Sequence, residues 1–353
     1  MTMILSFTKK QLVLVILLLG IKVTTGFGQI TPRVYIANKA VDKFIIDGKP
    51  DEVSWAKSTW SDLFIDIEGK KTPRHNTRMK MTWDEENLYL FAELSEPHIW
   101  ANLKQRDTII FYNNDFEIFI DPDGDTHNYY EFEMNALNTI WDLFLSKPYR
   151  NHGKILGGWD FKGLRSAVHI NGTLNDASDI DKGWSVEIAI PWSFDTAPGA
   201  RTSIPKNTFW RINFSRVNWD FDLVNGNYTR KKDEEGKFFA EYNWVWSPQG
   251  VINMHEPEHW GYVYFSTAEV GSLTTFEIPK DEHIKWYLYE LYRNYATSAD
   301  SKLVEQQKEI LGQQISPKLF KHQFGWVIWT ISPFTQNKIS IYEDGKIEIN
   351  EPH

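Results

Sequence analysis

The chain contains no cysteine among its 353 residues. That excludes a disulfide framework and a covalently attached c-type haem. Exported eukaryotic proteins of this size usually carry disulfides, so the absence fits bacterial export better. It also removes the residue that a lipid anchor would modify. Positive charge is in deficit as well. Lys and Arg number 38 against 47 Asp and Glu, giving a formal net charge of −9. Such a surface repels phosphate, which argues against a nucleic-acid partner. The one short basic run, Arg230-Lys231-Lys232, is followed at once by Asp233-Glu234-Glu235. There is no glycine-rich phosphate loop, no His-Glu-x-x-His and no internal repeat.

Long apolar runs are also missing, with one exception. Lys9 and Lys10 precede Leu12 to Leu19, and small residues follow as far as Gln29. This order is that of a signal peptide over residues 1–28, cleaved near Gly26 or Gly28. The apolar run falls short of the ~20 residues that a bilayer span needs, and no later segment reaches that length. The expectation is a periplasmic or extracellular protein with no membrane span after cleavage.

What the chain has in abundance is aromatic rings, 15% of residues, with 16 Trp. With 42% hydrophobic and 24% charged residues it can bury an ordinary core. From about Val34 to Phe265, apolar and polar residues alternate in short runs. Examples are Arg78 to Trp83, Asn87 to Ala92, Phe116 to Asp121, Tyr130 to Met134, Trp184 to Ile190 and Phe209 to Phe214. Period two over short runs predicts antiparallel strands with one buried face, and many such strands predict a sandwich. Turns are expected at Asp47-Gly48-Lys49-Pro50, Asp121-Pro122-Asp123-Gly124 and Asn171-Gly172. From Asp281 to Leu311 the apolar spacing becomes helical, with Pro279 a reasonable start and Gly312 a stop. The expected organisation is an all-β antiparallel sandwich over residues 30–266. A helical and short-strand extension over 277–353 packs on it, and looks too short for a core of its own.

The stretch from Thr82 to Leu145 mixes Trp and Tyr with Asp, Glu and Asn. Rings beside fixed carboxylates and amides suit a sugar, which has apolar C–H faces and a rim of hydroxyls. Asn135, Asn138 and Trp141 form one such patch. On the strand Asp115 to Asp121, Asp115, Glu117 and Phe119 alternate with Phe116, Ile118 and Ile120, and Asp115 is expected to cap a turn or pair with Arg106. Trp83 alternates with Met79 and Met81 and is expected in the core.

Several motifs follow one another in order. Ile46-Asp47-Gly48 comes with Trp55, then Trp83-Asp84-Glu85-Glu86-Asn87-Leu88-Tyr89, then Asn114 to Asp121. Gly183 to Trp192, Trp210 to Arg216 and His259-Trp260-Gly261-Tyr262-Val263 complete the series. This order resembles a carbohydrate-binding module family 9-like domain, within the wider DOMON group of β-sandwiches, over residues 34 to 265. The resemblance implies a glycan end gripped between two rings, with polar side chains alongside. Phe111 or Tyr112 takes the place of the first ring, and Glu117 matches a ligand-contacting acid. Met254, beside His255, stands by position where the second ring belongs, so Trp219, Trp244 or Trp246 is the alternative source.

Binding of oligo- or polysaccharide, in polysaccharide breakdown, is therefore the expected function, with no cofactor. The expected ligand contacts are Arg106, Phe111, Tyr112, Glu117, Asn135, Asn138, Trp141, Trp219, Met254 and His255. A glycoside hydrolase would need a positioned carboxylate pair, for which Glu117, Glu131, Glu133 and Asp142 are available. A haem-binding member would need an axial Met or His pair from Met81, Met134, Met254, His169 or His255. Asp121, Asp123 and Asp125 resemble part of a calcium loop, although Asp-Gly is also ordinary turn chemistry.

Overall fold

The computed structural model describes residues 31–194 and 204–352. The segment assigned to a signal peptide lies outside them. The strands in chain order are β1 (Val34–Lys39), β2 (Ile65–Asp66), β3 (Thr77–Trp83), β4 (Asn87–Ser95), β5 (Asp115–Asp121), β6 (Tyr129–Asn135), β7 (Ile140–Leu145), β8 (Ile155–Leu156), β9 (Arg165–Asn171), β10 (Gly183–Pro191), β11 (Phe209–Asn218), β12 (Phe221–Val224), β13 (Asn227–Arg230), β14 (Tyr242–Val245) and β15 (Gly261–Glu269). They hydrogen-bond in the order β8-β7-β6-β5-β11-β15-β1-β3-β4-β10-β9, with β14 and β2 attached to β11.

This path is folded over at β1. That strand runs parallel to β15, but meets β3 only where Lys39 faces Trp83. The Trp83 indole N–H bridges the seam, donating to the carbonyls of Ala37 and Ser266 at 3.0 Å each. The two layers then face each other. Met79, Met81, Leu88, Leu90, Val186 and Ile188 of one pack with Phe116, Ile118, Phe132, Met134, Ile212 and Phe214 of the other in a single apolar cluster. Each such side chain contributes about 1.5–3 kcal/mol through burial. Period two in the sequence therefore translated directly into an inner face.

The outer faces are not bare. On β10, Glu187 points away from the core and accepts from the backbone N–H of Asp47 (2.9 Å) and Gly48 (3.1 Å) and the Trp55 indole (2.9 Å). The spacing of Ile46-Asp47-Gly48 and Trp55 thus has a structural cause, a loop clasped by one buried carboxylate. Gly48 has φ +86°, and a Cβ there would lie 2.7 Å from the His169 amide nitrogen.

The C-terminal part holds the helix Lys280–Ser298 and the antiparallel strands β18 (Lys318–His322), β19 (Gly325–Ile331), β20 (Lys338–Tyr342) and β21 (Ile347–Asn350). A small hairpin, β16 (Lys308–Ile310) with β17 (Gln313–Ile315), precedes them. Contrary to the expectation of a tail too short for a core, Ile284, Leu288 and Leu291 of the helix bury with Ile328, Ile339, Ile341 and Ile347 in a separate apolar cluster. The helix is also latched to the sandwich. Tyr262 donates to Glu282 at 2.7 Å, Lys285 pairs with Glu282 and reaches the Gly124 carbonyl, and Arg293 holds Glu258 at 2.6 Å.

Candidate functional site: an acidic, aromatic cleft

The outer face of β5, β6, β7 and β11 carries the residues that alternate with the core. Register places Glu117 opposite both Glu133 on β6 and Ser215 on β11, and Glu133 opposite Trp141 on β7. A cleft of about 200 Å³ opens on this face. Phe111, Trp141 and Tyr149 bring rings to it, Glu117, Glu131, Glu133 and Glu241 bring carboxyls, and Met254, His255 and Asn243 complete much of its wall. Pockets that enclose a whole ligand span about 300–1,000 Å³, so this one suits a single ring with the rest of the ligand outside.

Local structure explains how these groups arrive. Phe111 sits in the single helical turn Ile110–Tyr112, whose Phe111 N–H donates to Glu133 at 2.9 Å. Trp219 braces the turn from behind through a 2.7 Å bond from its indole to the Phe111 carbonyl. Met254 lies over Asn213, whose amide donates to its sulfur at 3.0 Å. The His255 imidazole contacts the Tyr129 hydroxyl at 2.8 Å and the Tyr149 ring edge-on, with centroids 4.6 Å apart. Burial, aided by Arg150, lowers His255 to about 3, so it is neutral at ordinary pH.

The carboxyls behave in the opposite way. Burial, with Ser215 and Glu241 as smaller influences, pushes Glu117 up to about 7. Burial and then the neighbouring acids raise Asp115, Glu131 and Glu133 well above the usual range. No Lys or Arg lines the cleft among the described residues. The nearby Arg216 is fully buried, and pairs instead with Glu96 at 2.6 Å.

The cleft gathers Phe111, Glu117, Trp141, Met254 and His255 of the residues expected from sequence. The others go elsewhere. Tyr112 is exposed beside Phe111, with Arg230 stacked on its ring at 4.1 Å. Trp219 is 6% exposed, and it supports the site from behind; Trp244 and Trp246 are buried in the sandwich core. Asn135 is fully buried and structural, since its side chain accepts from Leu137 N–H and Thr139 N–H and donates to the Leu103 carbonyl. Asn138 turns the β6–β7 hairpin at φ +57° and bonds Ser166. Arg106 pairs with Asp142 and Asp160 beside a separate groove, so Asp142 is also outside the cleft. Asp115 accepts from Val217 N–H instead of pairing with Arg106.

Of the haem candidates, Met81 and Met134 are in the core and His169 is exposed on β9. Asp121, Asp123 and Asp125 do converge, with carboxylate oxygens within 4.8 Å of one another. Both Asp121 oxygens accept backbone N–H groups, from Gly124 and Thr126, and Lys346 stands 3.4 Å from Asp125. Turn closure accounts for these contacts.

Sequence reading did not place Tyr149, Phe119, Glu241 or Asn243 at the site. Tyr149 follows Pro148 in a loop turn, where no periodicity signals direction. Phe119 shares its strand face with Glu117, so alternation alone places it there.

A family profile described as "Carbohydrate family 9 binding domain-like" matches residues 46–244. The chain is 25% identical over 178 residues to "Exoglucanase XynX" of Acetivibrio thermocellus, covering 48% of this chain and 14% of that one. It is also 25% identical over 178 residues to "Endo-1,4-beta-xylanase A" of Thermoanaerobacterium saccharolyticum, covering 48% of this chain and 13% of that one. The match thus spans only about one seventh of these relatives. Among solved structures, a putative carbohydrate-binding protein from Bacteroides uniformis superposes with a TM-score of 0.49 at 14% identity, covering 67% of this chain and 100% of that one. A carbohydrate binding module family 9 from Caldicellulosiruptor kristjanssonii, in complex with cellotriose, gives 0.43 at 16%, covering 70% and 100%.

Proposed function

Because the chain belongs to the carbohydrate family 9 binding domain-like family, we propose that it binds a saccharide in the cleft between Phe111, Trp141 and Met254. The observation that carries this is the meeting of aromatic side chains with Glu117, Glu133 and Asn243 on one sheet face. Rings pack on the apolar face of a pyranose, and oxygen acceptors take its hydroxyls. Protonated carboxyls add donors that carboxylates lack, so raised acids widen the hydrogen-bonding repertoire. A single-ring cleft favours a chain end or a short oligosaccharide over an extended strand. The role is capture during polysaccharide breakdown by an exported protein. In the described residues no helix is long and apolar enough to cross a membrane.

Calorimetric titration with cello- and xylo-oligosaccharides, beside a glycan array, tests this reading. Binding that is lost in the double variant Phe111→Ala, Trp141→Ala is expected. A folded protein that ignores every glycan on the array would overturn it. Turnover of those oligosaccharides, abolished by Glu117→Gln, would instead mark a hydrolase.

A further inference from the structure

Glu117, Glu131 and Glu133 line the cleft with no Lys or Arg among its lining residues, and Asp115 stands two residues before Glu117 on the same face of β5. Asp115, Glu117, Glu131 and Glu133 are each at most 5% exposed. Buried charges in proteins are ordinarily paired or bound to metal, because an isolated one is costly. The nearby cation, Arg216, favours the charged form of Asp115 but is itself paired with Glu96 at 2.6 Å.

The geometry is also that of a ligand set. One oxygen each from Asp115, Glu117 and Glu133 lies within 4.8 Å of the other two. Oxygens on opposite sides of a calcium ion, at 2.3–2.6 Å each, stand about 5 Å apart, so one ion can reach all three. Two of the carboxylates are already aimed. Asp115 spends Oδ1 on Val217 N–H, and Glu133 spends Oε2 on Phe111 N–H. A metal-ligating carboxylate is itself hydrogen-bonded, and such bonds fix its orientation.

Independent signs come from β11. The Ser215 hydroxyl is fully buried directly opposite Glu117. It lies close enough to temper that carboxyl, yet closes no hydrogen bond of normal geometry. Asp115 Oδ2 and the Asn213 amide oxygen, both fully buried on the same face, are likewise without partners. Buried oxygens left without partners in this number point to a group missing from the site, and a cation satisfies several of them at once.

We propose that Asp115, Glu117 and Glu133, with Ser215 beside them, hold a hard divalent cation of the calcium class at the cleft floor, and that its open positions take sugar hydroxyls. Six to eight oxygens complete such an ion, and these side chains supply only part of that number. The remainder faces the cleft. The sugar half of the proposal rests on the reading of the cleft as a saccharide site. The ion half does not.

Terbium titration of the chelator-treated full chain tests the ion, with Trp141 as antenna. Saturable luminescence that calcium displaces is expected, together with a rise in Tm on adding calcium. Glu117→Gln should weaken terbium binding by roughly tenfold or more, and Ser215→Ala should weaken it less. Asp123→Asn, at the separate acidic turn, should leave it unchanged. No saturable signal and no Tm shift overturns the ion. So does a signal that survives Glu117→Gln and disappears in Asp123→Asn. Sugar titrations with and without calcium test the second half. A gain of about tenfold with calcium supports it, and equal affinity overturns it while leaving the saccharide site standing. No sugar binding in either state removes the saccharide reading and leaves the ion to the terbium result.

Discussion

Glu117 and Glu133 are direct partners across the β5–β6 ladder, two acids side by side with no base between them. Like charges directly opposite each other cost stability, and burial drives such acids towards their neutral form. Here both are buried. The fold therefore carries a local penalty in the place where its cleft opens, as expected where stability is given up for a site.

Neutralising one member should relieve that penalty. Glu133→Gln, measured in chelator by thermal unfolding, should raise Tm by roughly 2–4 °C for a gain of about 1 kcal/mol. The amide oxygen can still accept from Phe111 N–H, so the helical turn stays in place. An unchanged or lower Tm would mean that the acids are already relaxed by sharing protons.

Ring removal should show in affinity. Phe111→Ala and Trp141→Ala, two partly exposed rings of the cleft, should each weaken saccharide binding by about 0.5–1.5 kcal/mol, or roughly two- to tenfold. Tyr112→Ala should do less, since Arg230 already covers that ring. Calorimetry on the three variants ranks them.

The Glu187 clasp predicts a larger and purely structural effect. Glu187→Ala removes the acceptor for three donors and strands the fully buried Trp55 indole. A loss of about 3 kcal/mol in urea unfolding is expected, with sugar affinity unaltered. Glu187→Gln should recover part of it.

Acid should weaken the fold through His75. Burial, then the charges of Arg216 and Arg74, lowers this imidazole to about 4 from a usual 6.5. Its folded form binds the proton less readily than its unfolded form. Its contribution is therefore complete above pH 6.5 and declines as pH falls towards 4. In a Tm series across that window, His75→Gln should fall less steeply than the native chain.

The strands were legible because one rule governed them. Apolar residues at every second position became the sandwich interior, and Trp83 went to the core that its strand neighbours Met79 and Met81 predicted. The site was half legible for a related reason. Glu117 and Trp141 stand on strands, where alternation gives direction, and Phe111 and Met254 were placed by motif order. Asn135 and Asn138 misled because an amide that closes a hairpin reads the same in sequence as one that waits for a ligand. Only the bonds to Leu137, Thr139 and Ser166 tell them apart. Tyr149 and Glu241 come from distant loops, and their approach to the cleft is a product of the folded path.

The latches between the helix Lys280–Ser298 and the sandwich carry a consequence for modularity. Arg293 grips Glu258, and Arg211, which approaches Glu282 to 3.6 Å, also holds the carbonyls of Glu258 and Trp260. The loop so restrained is the one that delivers Met254 and His255. A cassette cut at the end of the family match, residue 244, would discard Met254 and His255 themselves, together with β15 and this brace. The heritable unit, the piece that recombination could move between proteins with its recognition intact, is thus larger than the stretch that defines the family.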